Sequence, residues 1–235
     1  MRKSNNKVKK SLPFLCFSIR LHYLCSIFIL IMTPEEANNI KLSENFILAD
    51  ADYIDYVAFQ LSVQFERMIG RRIPKADLSQ WVVDIALDGG LRADGSDHET
   101  QVVLVHEKQH AKMDNFQPSV YDTDIDARAF KDEKLGEFLV NAISVGDVVS
   151  KDDYILDTIN MVLSHKEVKR LMIIPNGEQG SIYEEVAAAL RGADDDKRIT
   201  LFAMQPMPGG NFRQEILGYS LMNALGIKSE EIPQS

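Results

Sequence analysis

Cysteine is nearly absent from this chain. Its 235 residues include only Cys16 and Cys25, and both lie within the first 31 residues. From Met32 onward the chain therefore cannot form a disulfide framework, a thiol nucleophile or a cysteine zinc site. Because proteins without disulfides are typical of reducing compartments, we expect a cytoplasmic location.

Acidic residues are absent from residues 1–31, which contain six basic residues. The whole chain has 26 basic and 35 acidic residues, so the remainder holds 20 bases against 35 acids, a net charge of −15. A body this acidic repels nucleic acid at long range unless a metal ion or a local basic patch compensates. Its hydrophobic content of 45% and its length are those of a soluble domain with a sizeable core.

The first 31 residues differ from the rest of the chain. A basic stretch at 1–10 precedes a mostly apolar stretch at 11–31, as in a signal peptide, but Arg20 and His22 interrupt it and no small-residue cleavage site follows. Three interpretations stay open: a true start at Met32, a membrane or export signal, and an ordered part of the fold. We favour the start at Met32, with residues 1–31 a mis-called start or leader outside the fold. We expect no membrane span in residues 32–235.

Short apolar runs alternate with helical patterns along residues 32–235. Predicted strands cover 46–50, 101–106, 135–145, 171–175 and 199–204, and predicted helices cover 52–69, 78–88, 150–164, 182–190 and 212–225. Strands that alternate with helices are typical of a mostly parallel sheet covered on both faces. We therefore predict one α/β domain, a three-layer α/β/α sandwich. Its strands beginning near Phe46, Gln101, Leu171 and Ile199 should be parallel neighbours.

Acidic and amide side chains follow two of these strands. Asp50 ends the first strand and Asp52 follows, while Asn176 ends the strand at 171–175 and Glu178 follows. Open α/β sheets bind ligands at the carboxyl ends of their strands, and clustered carboxylates are ligands for Mg²⁺ or Mn²⁺. The alternative is that these acids cap helices, since Asp is favoured where a helix begins.

The order of these motifs resembles the NYN domain of the PIN-like nuclease superfamily. Asp50 matches the first aspartate of that family, and Asp157 matches the aspartate on its helix. Tyr53 stands where the family has Asn. The segment Pro175-Asn176-Gly177-Glu178-Gln179 stands in the family's Ser-Gly-Asp region, where Asn176 or Glu178 would replace a ligand.

This resemblance implies a PIN-like sheet and a ribonuclease that hydrolyses phosphodiesters of RNA with Mg²⁺ or Mn²⁺. It assigns catalysis to Asp50, Asp157 and Glu178, and metal binding to Asp50, Asp52, Asp157, Asn176 and Glu178. Two or three carboxylates would hold the metal, which lowers the pKa of a bound water. The alternative is a catalytically inactive NYN-like module that binds a protein or a small ligand, and the altered motifs and the acidic body favour it.

Overall fold

The computed structural model describes residues 41–233, which lie in one compact unit. The strands are β1 (Asn45–Asp50), β2 (Ala76–Asp77), β3 (Glu99–Glu107), β4 (Phe116–Gln117), β5 (Arg128–Asp132), β6 (Gly136–Val145), β7 (Arg170–Ile174), β8 (Arg198–Ala203) and β9 (Arg213–Ile216). The α-helices are α1 (Ala51–Ile69), α2 (Leu78–Asp88), α3 (Lys151–Ser164), α4 (Ile182–Ala189) and α5 (Leu217–Ala224). The predictions for residues 1–31 and for a start at Met32 lie outside the described residues.

The strands form a central, mostly parallel sheet in the order β5-β6-β3-β1-β7-β8-β9. Only β5 runs antiparallel to its neighbour in this sheet, and β2 pairs with β4 in a separate two-stranded ladder. The prediction that four named strands are parallel neighbours is confirmed, because β3, β1, β7 and β8 are consecutive and parallel.

The chain reverses its direction of travel across the sheet between β1 and β7. It starts at the centre with β1, adds β3 and then β6 on one side, and crosses through α3 to add β7, β8 and β9 on the other side. Such a reversal is a topological switch point, where open α/β sheets leave a crevice at the carboxyl ends of the strands. Asp50 and Asn176 lie at this point, since Ala49 is opposite Ile174 in the register of β1 and β7.

Helices lie against both faces of the sheet. Every residue of β1 is buried, and neighbouring residues of a strand face opposite sides. Ile47 and Ala49 belong to a cluster with buried side chains of α1, α2 and α5. Phe46 and Leu48 face the other side, where α3 and α4 place their own buried apolar side chains, Ile155, Ile159, Ile182 and Val186.

Capping residues define where three of the helices begin and where α1 ends. Asp50, Asp77 and Ser150 each accept a hydrogen bond from the backbone N–H three residues later, at 2.9, 3.0 and 3.1 Å. Gly70 ends α1 with a left-handed backbone at φ 70°, which glycine adopts without a Cβ clash. These local signals explain why helices predicted at 52–69 and 78–88 are observed at Ala51–Ile69 and Leu78–Asp88.

Two segments differ from the sequence predictions. Residues 107–134, where the sequence predicts neither a strand nor a helix, contain β4, a π-helical turn at Tyr121–Ile125 and β5. The helix predicted over 212–225 was wrong at its beginning, because Arg213–Ile216 forms β9 and α5 starts at Leu217. Pairing with β8 supplies ladder hydrogen bonds to this segment, and such tertiary pairing outweighs local helix propensity. No helix within residues 41–233 combines the length and the apolar content needed to cross a membrane.

Candidate functional site

Asp50 is fully buried at the end of β1. Its Oδ1 accepts the Tyr53 backbone N–H at 2.9 Å, so the carboxylate caps α1, and the same atom lies 2.8 Å from the Nζ of Lys151. Its Oδ2 is buried without a hydrogen-bond partner. Burial raises the pKa of Asp50, although the Lys151 charge and the hydrogen bonds from Lys151 and Tyr53 oppose that rise.

Asp52 joins three elements at the carboxyl edge of the sheet. Its Oδ2 accepts the Glu107 backbone N–H at 2.9 Å and lies 2.8 Å from Lys151 Nζ, while its Oδ1 lies 2.8 Å from Nδ1 of His110. Burial favours a higher pKa for Asp52, but the bonds to Lys151, Glu107 and His110 outweigh burial and lower it. Asp52 is therefore a carboxylate at neutral pH.

Lys151 bridges the two aspartates. It is the first residue of α3, its side chain is 14% exposed, and its Nζ lies 2.8 Å from a carboxylate oxygen of each aspartate. Burial favours a lower pKa for Lys151, but the charges and hydrogen bonds of Asp50 and Asp52 outweigh burial and raise it. The ammonium group thus stays charged and occupies the position between the carboxylates. We call Asp50, Asp52, His110 and Lys151 the carboxyl-edge cluster.

Three further polar atoms near this cluster are buried without a partner. One is the Tyr121 hydroxyl, whose pKa is raised by burial and by the charges of Asp52, Asp55 and Asp50. The other two lie at the switch point: the Tyr53 hydroxyl, in the first turn of α1, and the Oδ1 of Asn176, just beyond β7. Burial raises the pKa of Tyr53, and the charges of Glu178 and Asp50 raise it further, so both carboxylates lie within electrostatic range of this hydroxyl. Together with Asp50 Oδ2, the Tyr53 and Asn176 atoms are unsatisfied polar groups at the switch point.

Asp157 and Glu178 are not hydrogen-bonded to the carboxyl-edge cluster in the described part of the chain. Asp157 is exposed in the middle of α3, and Glu178 is exposed in the loop after β7. Within residues 41–233 no hydrogen bond or ion pair joins Asp157 to Asp50, and no group of three or more His, Cys, Asp or Glu side chains is placed to hold a metal ion. The catalytic and metal-binding roles assigned to Asp50, Asp52, Asp157, Asn176 and Glu178 stay predictions.

Sequence reasoning missed Lys151 as a site residue. The sequence predicts the helix that begins after Ser150, but not its neighbours. The parallel pairing of the preceding strand β6 with β3 brings the first residue of that helix to the same edge as Asp50. His110 was missed because the irregular loop after β3 has no periodic pattern that would indicate where its side chain lies.

Comparison with known proteins corrects the resemblance drawn from the motifs. No curated protein and no solved structure matches the chain. A family model matches residues 39–232, but it is neither an NYN nor a PIN-like nuclease model, so the NYN resemblance was wrong. An acid after a strand and before a helix occurs in many open α/β sheets, because it both caps the helix and lies at the ligand-binding edge. The predicted cytoplasmic location stays a prediction. With most of its length matched by that model, the chain belongs to the family of unknown function DUF6621.

Proposed function

We propose that this protein is a non-catalytic binding domain that receives a small organic amine at the carboxyl-edge cluster. The observation that carries this proposal is the group of three unsatisfied buried atoms at the switch point, Asp50 Oδ2, the Tyr53 hydroxyl and Asn176 Oδ1. Each buried polar group without a partner costs about 1–3 kcal/mol, so such groups are rare unless a ligand or water satisfies them.

The chemistry of these atoms favours a ligand rich in hydrogen-bond donors. A carboxylate oxygen and an amide carbonyl oxygen only accept hydrogen bonds, and a tyrosine hydroxyl both donates and accepts. The composition of the cluster favours the same kind of ligand, because two aspartates, Asp50 and Asp52, share a single lysine, Lys151. Electrostatic complementarity therefore favours a cationic or neutral donor over an anion.

The position of Lys151 favours ligand binding over metal-dependent hydrolysis. Its ammonium group already neutralises the position between Asp50 and Asp52, with 2.8 Å contacts to both. A divalent cation between these carboxylates would have to displace a lysine that is itself mostly buried. The residues present thus fit an amine ligand beside the lysine better than a metal ion in its place.

The proposal is tested by melting the full chain with putrescine, agmatine and ethanolamine, and with acetate as an anionic control. A ligand that binds the folded state raises the melting temperature as its concentration exceeds Kd. We expect a rise with at least one amine, none with acetate, and loss of the rise in Tyr53→Phe. The matched control is Tyr219→Phe, since Tyr219 is 71% exposed. A rise that Tyr53→Phe retains, or no rise with any amine, contradicts the proposal.

A second candidate is metal-dependent hydrolysis of RNA, favoured by the free Oδ2 of Asp50 beside the Asp52 carboxylate. Asp50, Asp52 and Asn176 would hold Mg²⁺ or Mn²⁺ after displacement of Lys151, and the metal would supply an activated water. The test is cleavage of single-stranded RNA with either cation by the wild type, Asp50→Asn and the exposed control Asp157→Asn. Cleavage that Asp50→Asn abolishes and Asp157→Asn retains would replace the amine-binding proposal.

A further inference from the structure

A cavity of about 560 Å³ opens at the opposite, amino-terminal edge of the sheet, and the charged side chains that line it are all basic. Its lining includes Gly89 and Gly90 after α2, Arg92, Arg198 at the start of β8, and Phe212 and Arg213 at the start of β9. Lys197 also lines the cavity. We call this cavity the arginine pocket.

The register of the sheet brings a further arginine beside the pocket. Arg170, the first residue of β7, pairs with Arg198, the first residue of β8. Arg170 is 8% exposed, and its Nε is buried without a hydrogen-bond partner. Burial lowers the pKa of Arg170, and the neighbouring charges of Arg198, Arg92 and Arg213 lower it further, although the charge of Glu44 opposes this. Four guanidinium groups therefore lie close together and repel one another.

Backbone carbonyls, which carry no net charge, hold two of the cations that line the pocket. Arg92 donates from Nη1 to the carbonyl oxygens of Leu87 and Leu91 at the end of α2. Lys197 donates from Nζ to the carbonyl oxygens of His165 and Val168, at 2.7 and 2.9 Å. Both side chains are thereby positioned by neutral groups, and neither forms an ion pair with a carboxylate among residues 41–233.

Carboxylates compensate the arginine pocket only in part. Glu215 accepts a hydrogen bond from Nη2 of Arg213, and Asp88 lies within electrostatic range of Arg92 and Arg213. Arg198 is exposed and has no ion pair with a carboxylate among residues 41–233. In a body with a net charge of −15, a pocket with this excess of positive charge is a local exception.

The Gly89-Gly90 turn leaves room for one of these arginines. Gly90 has φ +89°, a conformation that L residues rarely adopt, and a Cβ on Gly90 would lie 3.4 Å from Nη1 of Arg213. A side chain at this position would be strained and would crowd the guanidinium group. The turn thus lets the Arg213 head lie close to the backbone at the mouth of the cavity.

We propose that the arginine pocket binds a phosphate-bearing small molecule of nucleotide size. Cavities of roughly 300–1,000 Å³ accommodate small ligands, so 560 Å³ is suitable for a nucleotide. Guanidinium groups match phosphate oxygens in a two-pronged geometry, and several arginines suit a diphosphate better than a single phosphate. The Phe212 ring provides an apolar wall for the organic part of the ligand.

The pocket is tested by calorimetric titration of the full chain with ADP, AMP and pyrophosphate at constant ionic strength. We expect saturable binding, with ADP tighter than AMP. Arg198→Gln should weaken ADP binding about tenfold, which is the effect of losing one charge-assisted hydrogen bond. Arg198 is the best position for this change because it has no carboxylate partner to disturb. The matched control is Arg72→Gln, since the Arg72 side chain is 94% exposed and does not line the pocket.

Three outcomes decide between acceptance and rejection. Weaker ADP binding in Arg198→Gln and in Arg213→Gln, with wild-type affinity in Arg72→Gln and unchanged circular dichroism in all three, supports the proposal. Absence of saturable binding by ADP and pyrophosphate overturns it, as does binding that both pocket variants retain. Binding of a 5′-phosphorylated RNA oligonucleotide without binding of ADP also overturns it, because the pocket would then serve a macromolecule.

Discussion

The Lys151 ammonium group governs the electrostatics of the carboxyl-edge cluster. It lies 2.8 Å from Asp50 and from Asp52, and all three side chains are largely or fully removed from water. In such surroundings a charge is tolerated only next to an opposite charge, because desolvation of an unpaired ion costs several kcal/mol. Removing any one of these three side chains is therefore expected to lower the free energy of unfolding, because it leaves a buried charged group without its partner.

The first prediction is that Lys151→Met destabilises the protein by about 3–5 kcal/mol, the usual cost of removing one partner of a buried ion pair. Asp52 would lose its buried cation, and the pKa of Asp50, which burial raises, would rise further without the opposing Lys151 charge. Adding Asp50→Asn to this variant should restore part of the loss, since one buried carboxyl group without its cation disappears. The measurement is urea unfolding near neutral pH, with the exposed Lys166→Met as control. A loss below about 1 kcal/mol, typical of surface pairs, would contradict the buried bridge.

The second prediction concerns His106, a buried histidine that stacks on Tyr121 with ring centroids 3.7 Å apart. Burial lowers the pKa of His106 below its usual 6.5, although its hydrogen bond to the Glu107 carbonyl and the charge of Asp52 oppose this. Protonation therefore favours the unfolded state. The stabilising contribution of neutral His106 is present above about pH 6.5 and is lost as the pH falls through the lowered pKa.

The test compares the free energy of unfolding at about pH 7.5 and about pH 5.5 in the wild type and in His106→Phe, which keeps a stacking ring and cannot be protonated. The wild type should lose more stability on acidification than the variant. Asp50 and Asp55, whose pKa values burial raises, titrate with the opposite sign, but they are present in both proteins and cancel in the difference. Equal losses would mean that His106 does not carry this pH dependence.

At the scale of elements, helix α1 packs on the sheet and also holds the loop between β3 and β4 in place through hydrogen bonds. Asp52 accepts the Glu107 backbone N–H at the end of β3. One turn later, Asp55 accepts the backbone N–H groups of Asp114 and Asn115, at 3.1 and 2.8 Å, and the side-chain amide of Asn115 at 3.1 Å. Two carboxylates on one helix thus position a loop that has no regular structure of its own.

The third prediction is that Asp55→Ala destabilises the protein by about 2–3 kcal/mol, because several donors lose a charged acceptor at once. Loss of this anchor should also increase hydrogen exchange at Asp114 and Asn115. The control is Asp157→Ala, which removes an exposed carboxylate from the middle of a helix. If the two variants are equally stable, the loop is held by its packing and not by Asp55.

At the scale of the whole molecule, the two candidate sites lie at opposite edges of one sheet. The carboxyl edge holds the Asp50 and Asp52 carboxylates, and the amino edge holds the arginine pocket. Parallel strands produce this separation, because their carboxyl ends all lie at one edge of the sheet and their amino ends at the other. The amine and phosphate ligands proposed for the two sites are thus of opposite charge.

The fourth prediction concerns how the sheet opens. Backbone amides of β1 and β7, at the buried centre, should exchange hydrogen only through global unfolding, whereas those of β9 should exchange through local opening. The reason is that β9 pairs with β8 alone, and none of its residues is fully buried. Native-state hydrogen exchange at increasing urea concentration measures both the global unfolding seen at β1 and β7 and the local opening expected at β9. Equal protection of β1 and β9 would show that the edge strand opens only with the whole domain.

The sequence predicted most of the elements because their signals are local. The capping residues Asp77 and Ser150 and the left-handed Gly70 define helix ends through contacts within three or four residues. The predicted parallel neighbours followed from alternating apolar runs and helices, a pattern that leaves little choice of architecture. The candidate site was found only in part, since Asp50 and Asn176 end strands while Lys151 reaches Asp50 and Asp52 from a helix about 100 positions further along the chain.

By itself the sequence determined that the acidic body is an α/β domain with Asp50 at the carboxyl end of its first strand, because hydrophobic periodicity and capping act over short distances. Only the tertiary structure decided what Asp50 faces. The crossover through α3 brings Lys151 into the space between Asp50 and Asp52, and the pairing of β8 with β9 turns a predicted helix start into a strand. The same sheet register collects arginines from β7, β8 and β9 at the other edge. Such contacts depend on which distant segments share a surface, and a pattern of neighbouring residues carries no information about that.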